Sequence, residues 1–74
     1  MSILFNQAQK AIAKSICSRR KALGISQEKL ALEADIDRTY VSQLERQIAN
    51  PSLSILCKIA SILKCDVVDL LTEI

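Results

Sequence analysis

The sequence has 74 residues, half of them hydrophobic, with one Gly and one Pro; this composition predicts a single all-α domain (residues 1–74) and excludes a disordered chain. The formal net charge of +2 excludes a polycation that binds polyanions through total charge alone. The charges are segregated, because residues 1–25 carry five Lys or Arg and no acid, whereas the last ten residues carry three acids and no base.

The first predicted helix runs from about Leu4 to Leu23, and Gly24 follows as its C-terminal cap. Ser26 is the predicted N-cap of a second helix, which ends near Ala34. Apolar residues recur at helical spacing in the first helix, and this predicts a buried face composed of Phe5, Ala8, Ile12, Ile16 and Leu23.

A three-residue connection, residues 35–37, separates the second helix from a third at about residues 38–46, for which Asp37 is the predicted cap. A fourth helix at about residues 53–63 follows Pro51 and the N-cap Ser52, and a short fifth helix ends the chain. Five helices with short connections predict a compact bundle. The shortest connection forces the second and third helices to cross steeply, as in a helix-turn-helix.

The third helix separates an apolar face from a polar face. Val41 and Leu44 point inward on a helical wheel. The opposite face has no acid and carries Thr39, Ser42, Gln43 and Arg46, with Arg38 to one side. Such a face suits the major groove of DNA, where Arg pairs with guanine and Gln with adenine. On composition alone, a plainly solvated helix surface is the competing interpretation.

The stretch SQEKLALEADIDRTYVSQLERQ, Ser26 to Gln47, resembles the helix-turn-helix of the phage repressor and Cro-like regulators, the XRE family. The resemblance covers nearly the whole chain and implies a lambda repressor-like DNA-binding domain. One departure is Asp35, which stands at the turn where the family has Gly; Asp tolerates a left-handed conformation, so the turn should form at a small cost. The length and the segment DIDRTYVSQLER also resemble the controller proteins of restriction–modification systems, which bind operators as dimers.

The resemblance assigns roles residue by residue. Gln27 would contact phosphate at a helix N-terminus, and Arg46 and Asn50 would hold the DNA backbone. Arg20 and Glu45 would form a partly buried ion pair between the first and third helices. The residues implied in the major groove are Arg38, Thr39, Ser42 and Gln43.

One domain of this size reads few base pairs, so we expect a homodimer on two half-sites of a pseudo-palindromic operator, about 34–36 Å apart. The inner face of the fourth helix is predicted to contain Leu53, Leu56, Ile59 and Leu63. Other apolar residues of the last two helices are then surplus to the core. They predict a dimer interface made of Ile55, Ile62, Val67, Val68, Leu70, Leu71 and Ile74.

The favoured function is therefore a sequence-specific, double-stranded DNA-binding transcriptional regulator, with a restriction–modification controller as its narrower form. The alternative is an antitoxin or protein-interaction module built on a helix-turn-helix, which predicts weak, salt-insensitive DNA binding. An enzyme is not expected, because the chain has no His, no glycine-rich phosphate loop and no metal-ligand set.

Three cysteines, Cys17, Cys57 and Cys65, have no zinc-site spacing, so we expect neither metal nor cofactor. Reduced, mostly buried thiols in a cytoplasmic protein are the simplest interpretation, and a redox-sensing cysteine is the less favoured one. The sequence has no apolar run long enough for a membrane span, and we expect no small-molecule effector.

Overall fold

The computed structural model describes residues 4–72, and in this range the chain forms five α-helices and no strand. They are α1 (Phe5–Ala22), α2 (Gln27–Ala34), α3 (Arg38–Glu45), α4 (Leu53–Ile62) and α5 (Val67–Leu70). The predicted five-helix, all-α bundle is confirmed. Within it α1 packs against α3 and α5, and α2 packs against α3 and α4.

The predicted N-caps of α2 and α4 form. Ser26 and Ser52 each accept a hydrogen bond through Oγ from the backbone N–H three residues later, at 3.0 and 3.2 Å. Asp37 precedes α3 as predicted, but its side chain makes no capping hydrogen bond, so that part of the prediction is wrong. The Asp37 residue is exposed, and its carboxylate keeps the hydration that a cap bond would replace.

The turn between α2 and α3 depends on a residue in the left-handed region. Asp35 has φ 57° and ψ 48°, and its N–H bonds back to the carbonyls of Ala31 and Leu32. The predicted tolerance of Asp at this turn is confirmed. Gly24 ends α1 with φ 71°, and Gln47 and Lys64 follow α3 and α4 with φ 63° and 60°, so three of these four left-handed positions lack glycine.

One continuous hydrophobic core draws on all five helices. Its largest fully buried apolar side chains are Ile16, Leu30, Val41, Ile59 and Leu70. Three residues predicted to face inward are instead exposed, and their assignment to the core is wrong: Phe5, Leu23 and Leu53. All three lie in the first turn or just beyond the last turn of a helix. At these helix ends apolar residues still follow the helical spacing, but the neighbouring helices no longer cover them.

The three cysteines are free, and none is fully buried, contrary to the expectation of mostly buried thiols. Cys57 is exposed, whereas Cys17 and Cys65 are half-buried. Burial raises the pKa of the Cys65 thiol and so lowers its thiolate fraction near neutral pH. Among residues 4–72, none of the helices has the length and hydrophobicity that crossing a membrane requires.

Ser15 fastens the C-terminal segment to α1. It is the one polar residue among the fully buried side chains of the described chain, and its Oγ lies 3.0 Å from the Thr72 carbonyl oxygen and 3.3 Å from that of Asp69. A hydroxyl donates one hydrogen, so the two carbonyls share it. The Asp69 carbonyl also accepts from the Thr72 N–H at 3.2 Å, whereas the Thr72 carbonyl lies beyond the end of α5 and takes the Ser15 hydroxyl as a donor.

Ser15→Ala should therefore lower the free energy of unfolding by roughly 1 kcal/mol, because a fully buried hydroxyl and its hydrogen bond to the Thr72 carbonyl are lost. Thermal unfolding measures this as a fall in Tm of roughly 4–8 °C. Ser18→Ala removes an exposed hydroxyl from the same helix and should leave Tm nearly unchanged. Equal effects of the two changes would contradict an anchoring role for Ser15.

Candidate nucleic-acid interface

The second and third helices cross at small buried residues. Ala31 and Ala34 keep only 3 % of their surface exposed, and α3 buries Val41 and Leu44 against this contact. Since Ala side chains are short, the helices approach closely and fix the orientation of α3. The opposite side of α3 is thereby turned outward.

Four of the seven predicted DNA-contacting residues line one shallow depression on this outer side. Its walls are Gln27 from the start of α2 and three residues of α3, namely Arg38, Thr39 and Ser42. Arg38 and Thr39 are exposed, and Ser42 is half-buried. The depression therefore offers a guanidinium, two hydroxyls and an amide to a ligand.

The other three predicted contacts lie towards the end of α3 and in the loop that follows. Arg46 is exposed, and its Nε donates to the Ser42 Oγ at 3.2 Å. The Gln43 carbonyl accepts from the N–H groups of Ile48 and Ala49 at 2.9 and 3.3 Å. Gln43 thus ties the loop to α3, and this loop carries the exposed Asn50 outside the depression.

Arg20 and Glu45 form the ion pair that the resemblance implied. Arg20 donates from Nε to Glu45 Oε2 at 2.8 Å and from Nη2 to Oε1 at 3.0 Å, a bidentate geometry. Its Nη1 also donates to the Ile25 carbonyl at 2.9 Å. The two side chains keep only 11 % and 7 % of their surface exposed, so the pair joins α1, the α1–α2 connection and α3 in a poorly solvated place.

The pair also sets the charge of α3. The hydrogen bond from Arg20 to Glu45 raises the pKa of the guanidinium. Burial alone would raise the pKa of the Glu45 carboxyl, but hydrogen bonds from Arg20 and Gln27 outweigh it and hold that pKa below its ordinary value. Glu45 is the one acid within α3, and its charge is neutralised at neutral pH.

Gln27 has a partner that its sequence position did not reveal. Its Nε2 donates to Glu45 Oε1 at 3.1 Å, so one of its two amide hydrogens is used inside the protein. The second hydrogen and the N-terminal turn of α2 are left to face a ligand. Glu45 therefore fixes the position of an amide at the edge of the depression.

The predicted dimer surface is only partly exposed. Val68 and Leu71 are exposed, whereas Ile55, Ile62 and Val67 are half-buried against the core. Leu70 is fully buried, so its assignment to the interface is wrong. In a four-residue helix such as α5, the positions three apart share one face, and here Val67 and Leu70 turn it towards the core. Ile74 lies outside the described residues.

The sequence profile of the helix-turn-helix family matches residues 18–70. The chain belongs to this family. The predicted membership of the helix-turn-helix, or XRE, family is thereby confirmed, as is its function as a DNA-binding transcriptional regulator. The helix-turn-helix proper corresponds to α2, the turn at Asp35 and α3.

This helix-turn-helix chain is similar to proteins that span most of its length. It is 41 % identical over 69 residues to Control protein C.BamHI of Bacillus amyloliquefaciens, covering 93 % of this chain and 78 % of that protein. The restriction–modification controller protein C.AhdI of Aeromonas hydrophila superposes with a TM-score of 0.80 at 34 % identity, covering 84 % of this chain and 94 % of that one. SinR, a Bacillus subtilis protein, in complex with DNA superposes with a TM-score of 0.78 at 35 % identity, covering 82 % and 98 %.

Proposed function

We propose that the chain is a controller protein of a restriction–modification system that binds a pseudo-palindromic DNA operator as a homodimer. The observation that carries this proposal is the outer face of α3, where Arg38, Thr39 and Ser42 meet Gln27 around one depression and the nearby Glu45 is already paired. The similarity to C.BamHI and C.AhdI supports the controller assignment. A cytoplasmic location and regulation without a small-molecule effector or an enzymatic activity belong to the same proposal.

In the proposed complex α3 enters the major groove, whose width admits one helix. Arg38, Thr39, Ser42 and Gln43 then face base edges, which carry the sequence information. Gln27, Arg46 and Asn50 face phosphates and set the register of α3 along the duplex. The similarity to SinR in complex with DNA supports this orientation of the helix-turn-helix.

The proposed dimer joins two copies through α4 and α5. Val68 of the short α5 and Leu71, which follows α5, are exposed apolar residues. Ile55 and Ile62 of α4 and Val67 of α5 are half-buried against the core. A twofold axis makes such a patch self-complementary. It also gives each operator half-site one α3, with the half-sites about one helical turn apart.

Selection of bound duplexes from a random pool at low salt tests the proposal and supplies a cognate site for variants. Gln43→Ala should weaken binding to that site by roughly 1–3 kcal/mol and relax the base preference at one position of each half-site. Arg46→Ala should weaken cognate and random duplexes alike and make the salt dependence shallower by about one unit per protomer.

These two variants form a matched pair, because both truncate polar residues near the end of the same helix. If Gln43→Ala weakened every duplex equally, Gln43 would not read bases. If the selection enriched no duplex at all, the DNA-binding role of this chain would fail. The protein-interaction module would then be the better account of the fold.

A further inference from the structure

The last two helices carry charges of opposite sign. Residues 53–65, which form α4 and the turn after it, contain Lys58 and Lys64 and no acid. Residues 66–72, which contain α5, carry Asp66 and Asp69 and no base. Lys58, Lys64 and Asp66 are exposed, and within residues 4–72 none of these three belongs to an ion pair. Opposite charges are thus left uncompensated on the surface proposed to join the homodimer.

Lys58 shares one face of α4 with two apolar residues of that surface. It comes three residues after Ile55 and four residues before Ile62, and side chains at these spacings are neighbours on a helix. Ile55 and Ile62 are half-buried against the core and lie about 10 Å apart along α4. A four-residue helix such as α5 is about 6 Å long. It can therefore lie across this face of α4.

Like charges oppose a dimer in which each of these helices faces its own copy. If α4 packed against α4 of a second copy, Lys58 would approach the other Lys58. If α5 packed against α5, Asp66 would approach the other Asp66. Like charges brought together across an interface lower the affinity. The crosswise arrangement, with α4 against α5 of the second copy, brings opposite charges together twice, because a twofold axis repeats every contact.

The acids near the end of α2 favour the same placement. Glu33 and Asp35 line one groove together with Lys58. Glu33 is paired with Lys29 at 3.9 Å, so Lys58 keeps its charge for another partner. A segment that carries Asp66 is repelled by Asp35 and attracted by Lys58. We therefore expect α5 of the second copy to lie over α4 rather than over α2.

We propose that α4 of each copy packs against α5 of the second copy, with an ion pair between Lys58 and Asp66 at both symmetry-related contacts. The exposed apolar residues Val68 and Leu71 of one copy then cover the half-buried apolar face of α4 in the other. The inference rests on the proposed homodimer and names the contacts that set its register. It also gives the acidic end of the chain a role that DNA binding does not use.

Lys58→Glu and Asp66→Lys test the inference as two separately purified variants. Each variant homodimer has two contacts between like charges, so its dissociation constant should rise about tenfold or more at low salt. In the heterodimer of the two variants both contacts again join opposite charges, because reversed meets reversed and native meets native. At a concentration just sufficient for the wild-type dimer, sedimentation should show monomers of each variant alone and dimers in their equimolar mixture.

Lys21→Glu is the matched control, because it reverses the charge of an exposed lysine on α1, which lies outside the proposed interface. This variant alone should stay dimeric. Mixed with a fluorescently labelled Asp66→Lys, it should not return the labelled variant to the dimer affinity of wild type. Equal rescue of Asp66→Lys by Lys21→Glu and by Lys58→Glu would overturn the pairing and leave only an effect of net charge.

Two further outcomes would also overturn the crosswise pairing. One is a mixture of Lys58→Glu and Asp66→Lys that stays monomeric although circular dichroism shows both variants folded. The other is a dissociation constant of Lys58→Glu equal to that of wild type. This second measurement leaves α5 unchanged, so it decides the matter even if Asp66→Lys does not fold.

Failure of this inference is distinguishable from failure of the proposed function. If the wild-type chain is dimeric and binds its selected duplex, but the mixed variants show no rescue, only the crosswise pairing is wrong. If the wild-type chain stays monomeric both alone and on its duplex, the proposed homodimer is wrong as well. The surface of α4 and α5 would then belong to a different partner protein. The selection of duplexes tests DNA binding independently of either result.

Discussion

Arg20→Met is expected to lower the free energy of unfolding at pH 7 by about 3 kcal/mol, because it leaves the Glu45 carboxylate buried without its bidentate partner. Met has a similar length and keeps the packing of the aliphatic part of Arg20. Urea denaturation of wild type and variant measures the difference. Arg20→Lys keeps the positive charge but loses the planar guanidinium that binds both carboxylate oxygens. Its free energy of unfolding should therefore lie between those of wild type and Arg20→Met.

The pH dependence of this stability difference identifies its cause. In wild type the folded-state pKa of Glu45 is depressed, so the stabilisation is present above the unfolded-state pKa, about 4.3, and is lost as pH falls through the folded-state pKa. Without Arg20, burial raises the pKa of Glu45, so the folded variant takes up a proton readily in mild acid. The stability gap should therefore narrow as pH falls from 7 towards 4.

Lys21→Met is the control for the loss of a positive charge from α1, since Lys21 is exposed. It should change stability by less than about 0.5 kcal/mol at either pH. The difference in free energy of unfolding between wild type and Arg20→Met could instead stay constant from pH 7 to pH 4. In that case the lost stability would arise from packing and not from the unpaired carboxylate.

Val68→Asp is expected to raise the dissociation constant of the proposed homodimer by more than about 100-fold, because the proposed twofold interface would bury two carboxylates without partners. The Val68 residue is 72 % exposed in the single chain, so the fold should persist. Sedimentation at micromolar concentration should show monomers for the variant. DNA affinity should fall steeply with it, since each monomer holds one half-site only.

Leu32→Asp provides the matched control for this change. Leu32 is 75 % exposed and lies on α2, outside the proposed interface. Leu32→Asp should leave the dimer intact. The oligomeric states of Leu32→Asp and Val68→Asp are therefore the measurements to compare. An unchanged dimer for Val68→Asp, or equal dissociation of both variants, would move the interface away from α5.

The sequence predicted most of the helices because their limits depend on local chemistry. Ser26 and Ser52 cap as expected, and Asp35 adopts the left-handed turn. The errors lie where tertiary packing decides. Helical spacing continues through Phe5 and Leu53, although no neighbouring helix covers these positions. The same spacing could not show that α5 would turn Leu70 inward.

The candidate site was predictable by residue type, but of its side-chain partners only the Arg20–Glu45 pair was implied by the resemblance. The composition of α3 indicated a polar outer face, and its orientation followed from Val41 and Leu44. The bond from Gln27 to Glu45 joins residues 18 positions apart, and that from Gln9 to Ala49 joins residues 40 positions apart. No local pattern encodes such pairs. Ser15 alone carried a signal, as a hydroxyl one helical turn after the apolar residues Ala11 and Ile12.

The left-handed turns have a consequence for how this chain can evolve. Asp35, Gln47 and Lys64 each hold a conformation that costs a residue with a Cβ roughly 1 kcal/mol, and glycine would avoid that cost. The three turns are separate, so substitutions there should combine nearly additively. The lineage thus has stabilising changes available away from α3. Substitutions in α3 that change the base preference but weaken the fold can be compensated by glycine at these turns. The surface proposed to contact DNA is then free to diversify.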